Sequence, residues 1–193
     1  MNAPAPTGFQ RQLASTAHDQ YEQFHLLREN QPPLSTQIER YWADLGFVFP
    51  GVGVAWSAVF VSWCVKTAGA TAAQFHFSAA HSEFVYEAIQ NQLSQIGVFR
   101  CHRPQDHAPK VGDILQNNRG THSFDYAYAR AHRHYESHST VVVEVGVDNA
   151  GHYLRTIGGN ESDSVGLKEV RLLADGTVAN AAGLYISVIE TLL

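Results

Sequence analysis

Three separated segments hold residues that could do nucleophilic chemistry together. Ser57 opens an apolar run, Trp56-Ser57-Ala58-Val59-Phe60-Val61-Ser62-Trp63-Cys64, directly after a stretch containing Pro50, Gly51 and Gly53. A helix starting there offers free backbone N–H groups and a positive dipole end to a nucleophile and to the oxyanion that it creates. The dipole contributes at most about 2 kcal/mol, or about 1.5 pKa units, which brings a thiol close to neutrality but leaves an alcohol protonated. A serine nucleophile here therefore needs a histidine base. The competing role for Ser57 is a capping or small packing residue.

His138 is the candidate base, because it precedes a β-branched run over Thr140–Val147. If the chain turns about Asn149-Ala150, His138 falls opposite Glu161, and a one-residue change in turn length puts Asn160 or Ser162 there instead. The segment Ile157-Gly158-Gly159-Asn160-Glu161 thus brings a polar side chain to the imidazole, able to hold one tautomer. His81, three residues after Ser78, reads as part of a helix-capping arrangement, with a second polar group aimed at the site as the alternative. Cys64 lies two helical turns beyond Ser57 and reads as core. A different chemistry would use His122, His132, His134 and His138 as metal ligands. No His-Glu-x-x-His or Cys-x-x-Cys frame accompanies them, which favours a solvated loop.

The elements that must position these groups follow from periodicity. Residues 1–8, with two Ala-Pro pairs, read as a frayed tail, leaving 9–193 as a single domain. Phe9, Leu13, Ala17, Tyr21 and Phe24 share a helical face, and Pro32-Pro33 forbids its continuation. Ser35 is the expected N-cap of a second helix that ends at Gly46. The helix beginning near Trp56 is apolar almost all round, as a central buried helix is. Ser78 is the expected cap of a fourth, running to about Gln95. Beyond Gly97 the period falls towards two, with strands expected at 98–101, 111–115, 140–147, 152–157, 167–172 and 184–189. Helices first and strands later predict an α+β fold, one antiparallel sheet packed against the buried helix. Residues 117–139 read as a long polar loop.

Composition narrows the function classes. The chain has 193 residues, 45% of them hydrophobic and 16% charged, enough apolar surface for one core. A net charge of −5 and the lack of any basic run argue against nucleic acid. No run suits membrane insertion, and the opening residues have no signal-peptide pattern, so synthesis in the cytoplasm is expected. Histidine is abundant: all 11 charged would carry the formal net charge from −5 to +6.

The Trp56–Cys64 string, with Ala68-Gly69-Ala70 beyond it, resembles the nucleophile helix of papain-like cell-wall hydrolases of the NlpC and CHAP type. Val111-Gly112-Asp113-Ile114 resembles their Gly-Asp strand motif, Ser137-His138-Ser139-Thr140 the strand bearing the catalytic histidine, and Thr156-Ile157-Gly158-Gly159-Asn160 the strand bearing the third residue. The Ser78-Ala79-Ala80-His81 element and residues 158–165 look most like a domain-of-unknown-function branch that includes type VI secretion effectors attacking peptidoglycan. The resemblance implies Ser57, His138 and Asn160 as nucleophile, base and orienter, with His81 and Glu161 accessory and no cofactor or metal. It implies peptidoglycan stem peptides as substrate and action in the periplasm of a target cell or on the wall. A secretion apparatus and an immunity protein are the implied partners; phage lysis enzymes share the same traits. Serine stands where the family has cysteine. A working serine variant, an inactive wall-binding module and a Cys-to-Ser replacement all fit that change.

Overall fold

A computed structural model describes residues 5–193. Helix α1 spans Gly8–Phe24. Thr7 accepts a hydrogen bond from the Gln10 N–H, while the Gln10 side chain accepts from the Thr7 N–H, a reciprocal cap that satisfies two otherwise orphaned donors. Gln10 Nε2 also donates to Thr191 O at 2.7 Å, tying the helix to the last strand. The expected tail is therefore shorter: Thr7 and Gly8 belong to a capped helix start, and residues 1–4 lie outside the described residues.

Helix α2 runs over Leu34–Leu45 and ends, as expected, on a left-handed glycine, Gly46. Its N-cap is Pro33 with no side-chain bond, so Ser35 lies within the first turn instead of capping it. Helix α3, Ser57–Thr67, buries eight of its residues and is the central helix. Helix α4 is His81–Ser94, with Ala80 as N-cap. Ser78 braces the approach, accepting from the Ala80 N–H at 2.9 Å and donating to Glu83 at 2.6 Å, but does not cap. Within the expected long loop a short helix α5, Tyr126–Ala131, forms because the Asp125 carboxylate accepts from the Tyr128 N–H.

The strands are β1 (Phe99–His102), β2 (Ile114–Asn118), β3 (Ser137–Asp148), β4 (Gly151–Gly158), β5 (Gly166–Arg171) and β6 (Tyr185–Thr191). They form one antiparallel sheet in the order β1-β6-β2-β3-β4-β5, and the fold is α+β as expected. Strand β2 starts later than its sequence suggests because Lys110–Asp113 make a turn through Gly112, whose φ is 88°. Strand β3 starts earlier, so His138 sits inside it. The main core packs α1, α3 and α4 on one face of the sheet; a smaller cluster of Leu115, Val142, Leu154, Val170, Leu172, Val178 and Val188 fills the other.

The end of β4 and the residue after it need glycine for space. Neighbouring residues of an extended chain face opposite sides. A Cβ on Gly158 would meet Thr140 Cγ2 at 2.7 Å and His138 Nε2 at 3.1 Å, whereas one on Gly159 would meet Phe60 Cβ and Trp56 Cζ3, both at 2.6 Å. Gly159→Ala should thus push α3 off the sheet and cost about 1–3 kcal/mol of stability, as overpacking of a filled core does. Gly53→Ala, with nothing within 4 Å of the new methyl, should stay within about 0.5 kcal/mol of the parent. Urea unfolding of both variants checks this; equal midpoints would contradict the close approach.

Candidate functional site

Ser57 is the first residue of α3, preceded by the fully buried Trp56. The Phe60 N–H bonds Trp56 O, and among the described residues the N–H groups of Ser57, Ala58 and Val59 have no partner within the chain. Three donors therefore surround the serine at the positive end of a buried helix. The side chain opens into a cleft of about 220 Å³ lined also by Arg119, His138, Asn160, Glu161 and Lys168. A second hollow that also touches Ser57 is lined by His81, Tyr135 and, again, Arg119. The serine thus borders both recesses.

His138 and Ser57 share this cleft, as the sequence suggested. The partner of His138 is Glu161, which a turn about Asn149-Ala150 gives, and not the Asn160 implied by the resemblance: its Nε2 lies 2.8 Å from Glu161 Oε1. Asn160, in the left-handed region with φ 56°, lines the cleft without a hydrogen bond to either histidine. The cause is the backbone path. Leaving β4, the chain curls through left-handed Asn160, Ser162 and Asp163, so that Glu161 folds back over Gly166, where a Cβ would meet its own Cβ at 2.5 Å. The curl is held from outside: Arg28 Nη1 donates to Ser162 O at 2.5 Å, Glu29 N to Asp163 O at 2.7 Å and Ser164 Oγ to Phe24 O at 3.1 Å. Glu29 reaches α3 as well, accepting from Trp56 Nε1 at 2.9 Å.

Burial pushes the Glu161 carboxyl upward, but the bond to His138 and the Lys168 ammonium, 2.5 Å from its other oxygen, outweigh it and leave the group below its ordinary value. Glu161 is consequently an anion at neutral pH. With Nε2 donating to that anion, the nitrogen left for chemistry on His138 is Nδ1.

His81 makes the direct contact with Ser57, its Nε2 lying 2.7 Å from Oγ. Its ring centroid is 5.2 Å from that of His138. Burial, then His138 and Arg119, hold His81 well below the usual histidine value, so it is neutral. Its Nδ1 is sealed without a hydrogen-bond partner. An orphaned N–H is rarer in folded proteins than an orphaned acceptor, which places the proton on Nε2, pointing at Ser57 Oγ. The expected capping role of His81 is replaced by this contact, since Ala80 holds the cap position. Arg119 and Lys168 were not legible as site residues: one lies in an irregular segment and the other is an ordinary exposed strand lysine by pattern.

The loop histidines do not converge. His122 pairs with Glu136, His134 with Glu83 and His138 with Glu161, while His132 Nδ1 meets Tyr128 O. Those partners are spread over separate elements, which dissolves the metal set of His122, His132, His134 and His138. Both cysteines are buried and free, as read for Cys64. Burial raises the Cys64 thiol well above its ordinary value and takes Cys101, despite a bond to Ser187, up to about 12. Neither is a thiolate nucleophile.

Residues 36–188 match the family described as uncharacterized protein conserved in bacteria, DUF2272. The chain belongs to that family. No curated protein and no solved structure matches it. Within the DUF2272 match fall Ser57, His81, His138, Asn160 and Glu161, and every polar contact just described between the two histidines, Ser57 and Glu161.

The neutral state of His81 links stability to pH. In the unfolded chain a histidine protonates near pH 6.5, whereas the folded site resists the charge, so below about pH 6.5 the unfolded state binds the extra proton. The contribution is complete above that pH and lost as pH falls through it towards the lower folded value. His81→Gln should therefore lose less stability than the parent between pH 7 and pH 5, measured as urea midpoints. Equal losses would mean that His81 is not held neutral.

Proposed function

We propose that this protein is a papain-like peptidoglycan peptide-bond hydrolase or amidase with Ser57 as its nucleophile. The observation that carries the reading is a hydroxyl at the partner-free N-terminal end of a buried helix, in one cleft with a histidine bonded to an ionised carboxylate. Electrostatics divides the labour between the two histidines. A positive charge on His81 would be sealed from water, beside Arg119 and with no carboxylate in hydrogen-bond contact. One on His138 would sit 2.8 Å from Glu161. His138 is therefore the base, and His81 the donor that orients Oγ and offsets its developing charge.

In this mechanism Ser57 Oγ attacks the amide carbonyl as its proton passes to His138 Nδ1. Free N–H groups at the head of α3 receive the oxyanion. His138 then protonates the leaving amine, and water, deprotonated by the same ring, hydrolyses the acyl-enzyme. Glu161 keeps the ring in its tautomer, the role that the resemblance gives to Asn160. Arg119, bordering both recesses, suits the carboxylates of peptidoglycan stem peptides. The wall substrate rests on the resemblance of Trp56–Cys64 and the later motifs to NlpC and CHAP hydrolases. The same resemblance supports an antibacterial effector, delivered by a secretion apparatus to the periplasm of a target cell and matched by an immunity protein.

A binding module that does not cleave is the second reading, favoured by one observation: no hydrogen bond joins Ser57 to His138, and Oγ is engaged by His81 instead. Digestion of purified sacculi with mass spectrometry of the muropeptides separates the two. New peptide-cleaved products are expected from the parent and from Ser57→Cys, none from Ser57→Ala, and at least about 100-fold less from His138→Gln. Unchanged sacculi with both parent and Ser57→Cys would end the hydrolase reading.

A further inference from the structure

Away from the cleft, on the sheet face opposite the helices, a second cluster of polar groups sits at the β1–β6 edge. His102 pairs across the strands with Val188, which belongs to the smaller cluster on that face, and Glu190 stands two residues further along β6 on the same side. His107 comes from the connection between β1 and β2 and stacks on His102, with centroids 4.9 Å apart.

We propose that His102, His107 and Glu190 form a binding site for a zinc-type divalent metal ion. One donor atom from each lies within 4.8 Å of the other two. The His102 Nε2 to Glu190 Oε2 separation, 3.1 Å, is close to the edge of a tetrahedron with bonds of about 2.0–2.1 Å, which is about 3.3 Å. His107 Nε2 donates to Asp113 Oδ2 at 2.8 Å, which leaves its other nitrogen with the lone pair a metal needs. Asp113 is fully buried and already committed: Oδ2 also accepts from Lys110 N, and Oδ1 from Thr191 N. It is thus an orienting carboxylate behind the histidine, in the arrangement that fixes histidine ligands in metal sites. Two imidazoles and one carboxylate leave a fourth position for water, and imidazole ligands favour zinc over magnesium or calcium.

The group facing this cluster with the opposite preference is Lys110, whose Nζ lies 3.5 Å from Glu190 Oε1. Its side chain is 37% exposed and can swing into water, so a divalent ion displaces it at small cost. Bound metal would clamp the β1–β2 connection onto β6. The site shares no residue with the Ser57 cleft.

The full-length protein, stripped with chelator and titrated with zinc at pH 7.5, tests this. One zinc per chain is expected, with the thermal midpoint rising by about 5–10 °C at 100 times the dissociation constant. His107→Gln and Glu190→Gln should each weaken binding at least tenfold, and Lys110→Gln should tighten it several-fold. Cobalt added to the unaltered protein should give a tetrahedral ligand-field spectrum without a thiolate charge-transfer band, a readout that needs no variant to fold. Absence of stoichiometric zinc, binding unaffected by both ligand variants, or a thiolate band would each overturn the site.

Discussion

The close approach of α3 to the end of β4 is the constraint on which the rest depends. Only hydrogen at Gly159 lets Trp56 and Phe60 lie against the strand, and only hydrogen at Gly158 leaves room for the His138 ring beside Thr140. Two successive glycines facing opposite sides thus bring the head of α3 and the imidazole to the same end of the sheet. Gly166 completes the set by giving Glu161 room to fold back. The chain between α1 and α2 holds this geometry from outside, because Arg28 and Glu29 fasten the curl after β4 while Glu29 also holds Trp56. Positioning of the cleft side chains and core packing are here one problem.

Electrostatic asymmetry follows from that geometry. Two histidines lie within van der Waals range of one another, yet one faces a carboxylate and the other is sealed without a partner for Nδ1. Leaving a buried polar atom unpaired costs about 1–3 kcal/mol, the kind of local expense that folds retain at sites of function. In the proposed mechanism a serine lacks the thiolate that a helix end stabilises, so both rings take part: one to accept the proton, one to hold the oxygen. Arg119 reinforces the division, because a cation near His81 opposes its protonation.

Much of this was legible in the sequence, and the misses have physical causes. The all-apolar face of α3 and the α+β order followed from periodicity and turn residues, whereas the pairing of Ser57 with His138 in one cleft leaned on the resemblance. The choice between Glu161, given by a turn about Asn149-Ala150, and Asn160, implied by the resemblance, stayed open. Hairpin arithmetic gives a register, but the bulge between Val142 and Glu144 shifts it, and three non-glycine residues in the left-handed region redirect the chain after Gly159. His81 looked like a capping residue because Ser78 precedes it by one turn; Ser78 instead spends its hydroxyl on Ala80 and Glu83. Helix α5 was hidden in a stretch too short and polar to show a period, and its capping Asp125 was the signal available. The His102, His107 and Glu190 group lies far apart in sequence and meets only because β1 pairs with the last strand.

The central claim is that Ser57 is a nucleophile activated by His138. Labelling the folded protein with a fluorophosphonate at neutral pH, followed by peptide mass spectrometry, tests it most directly. The account predicts a single covalent adduct on Ser57 that disappears in His138→Gln. An unlabelled Ser57, or labelling that persists at the same rate without His138, would contradict it.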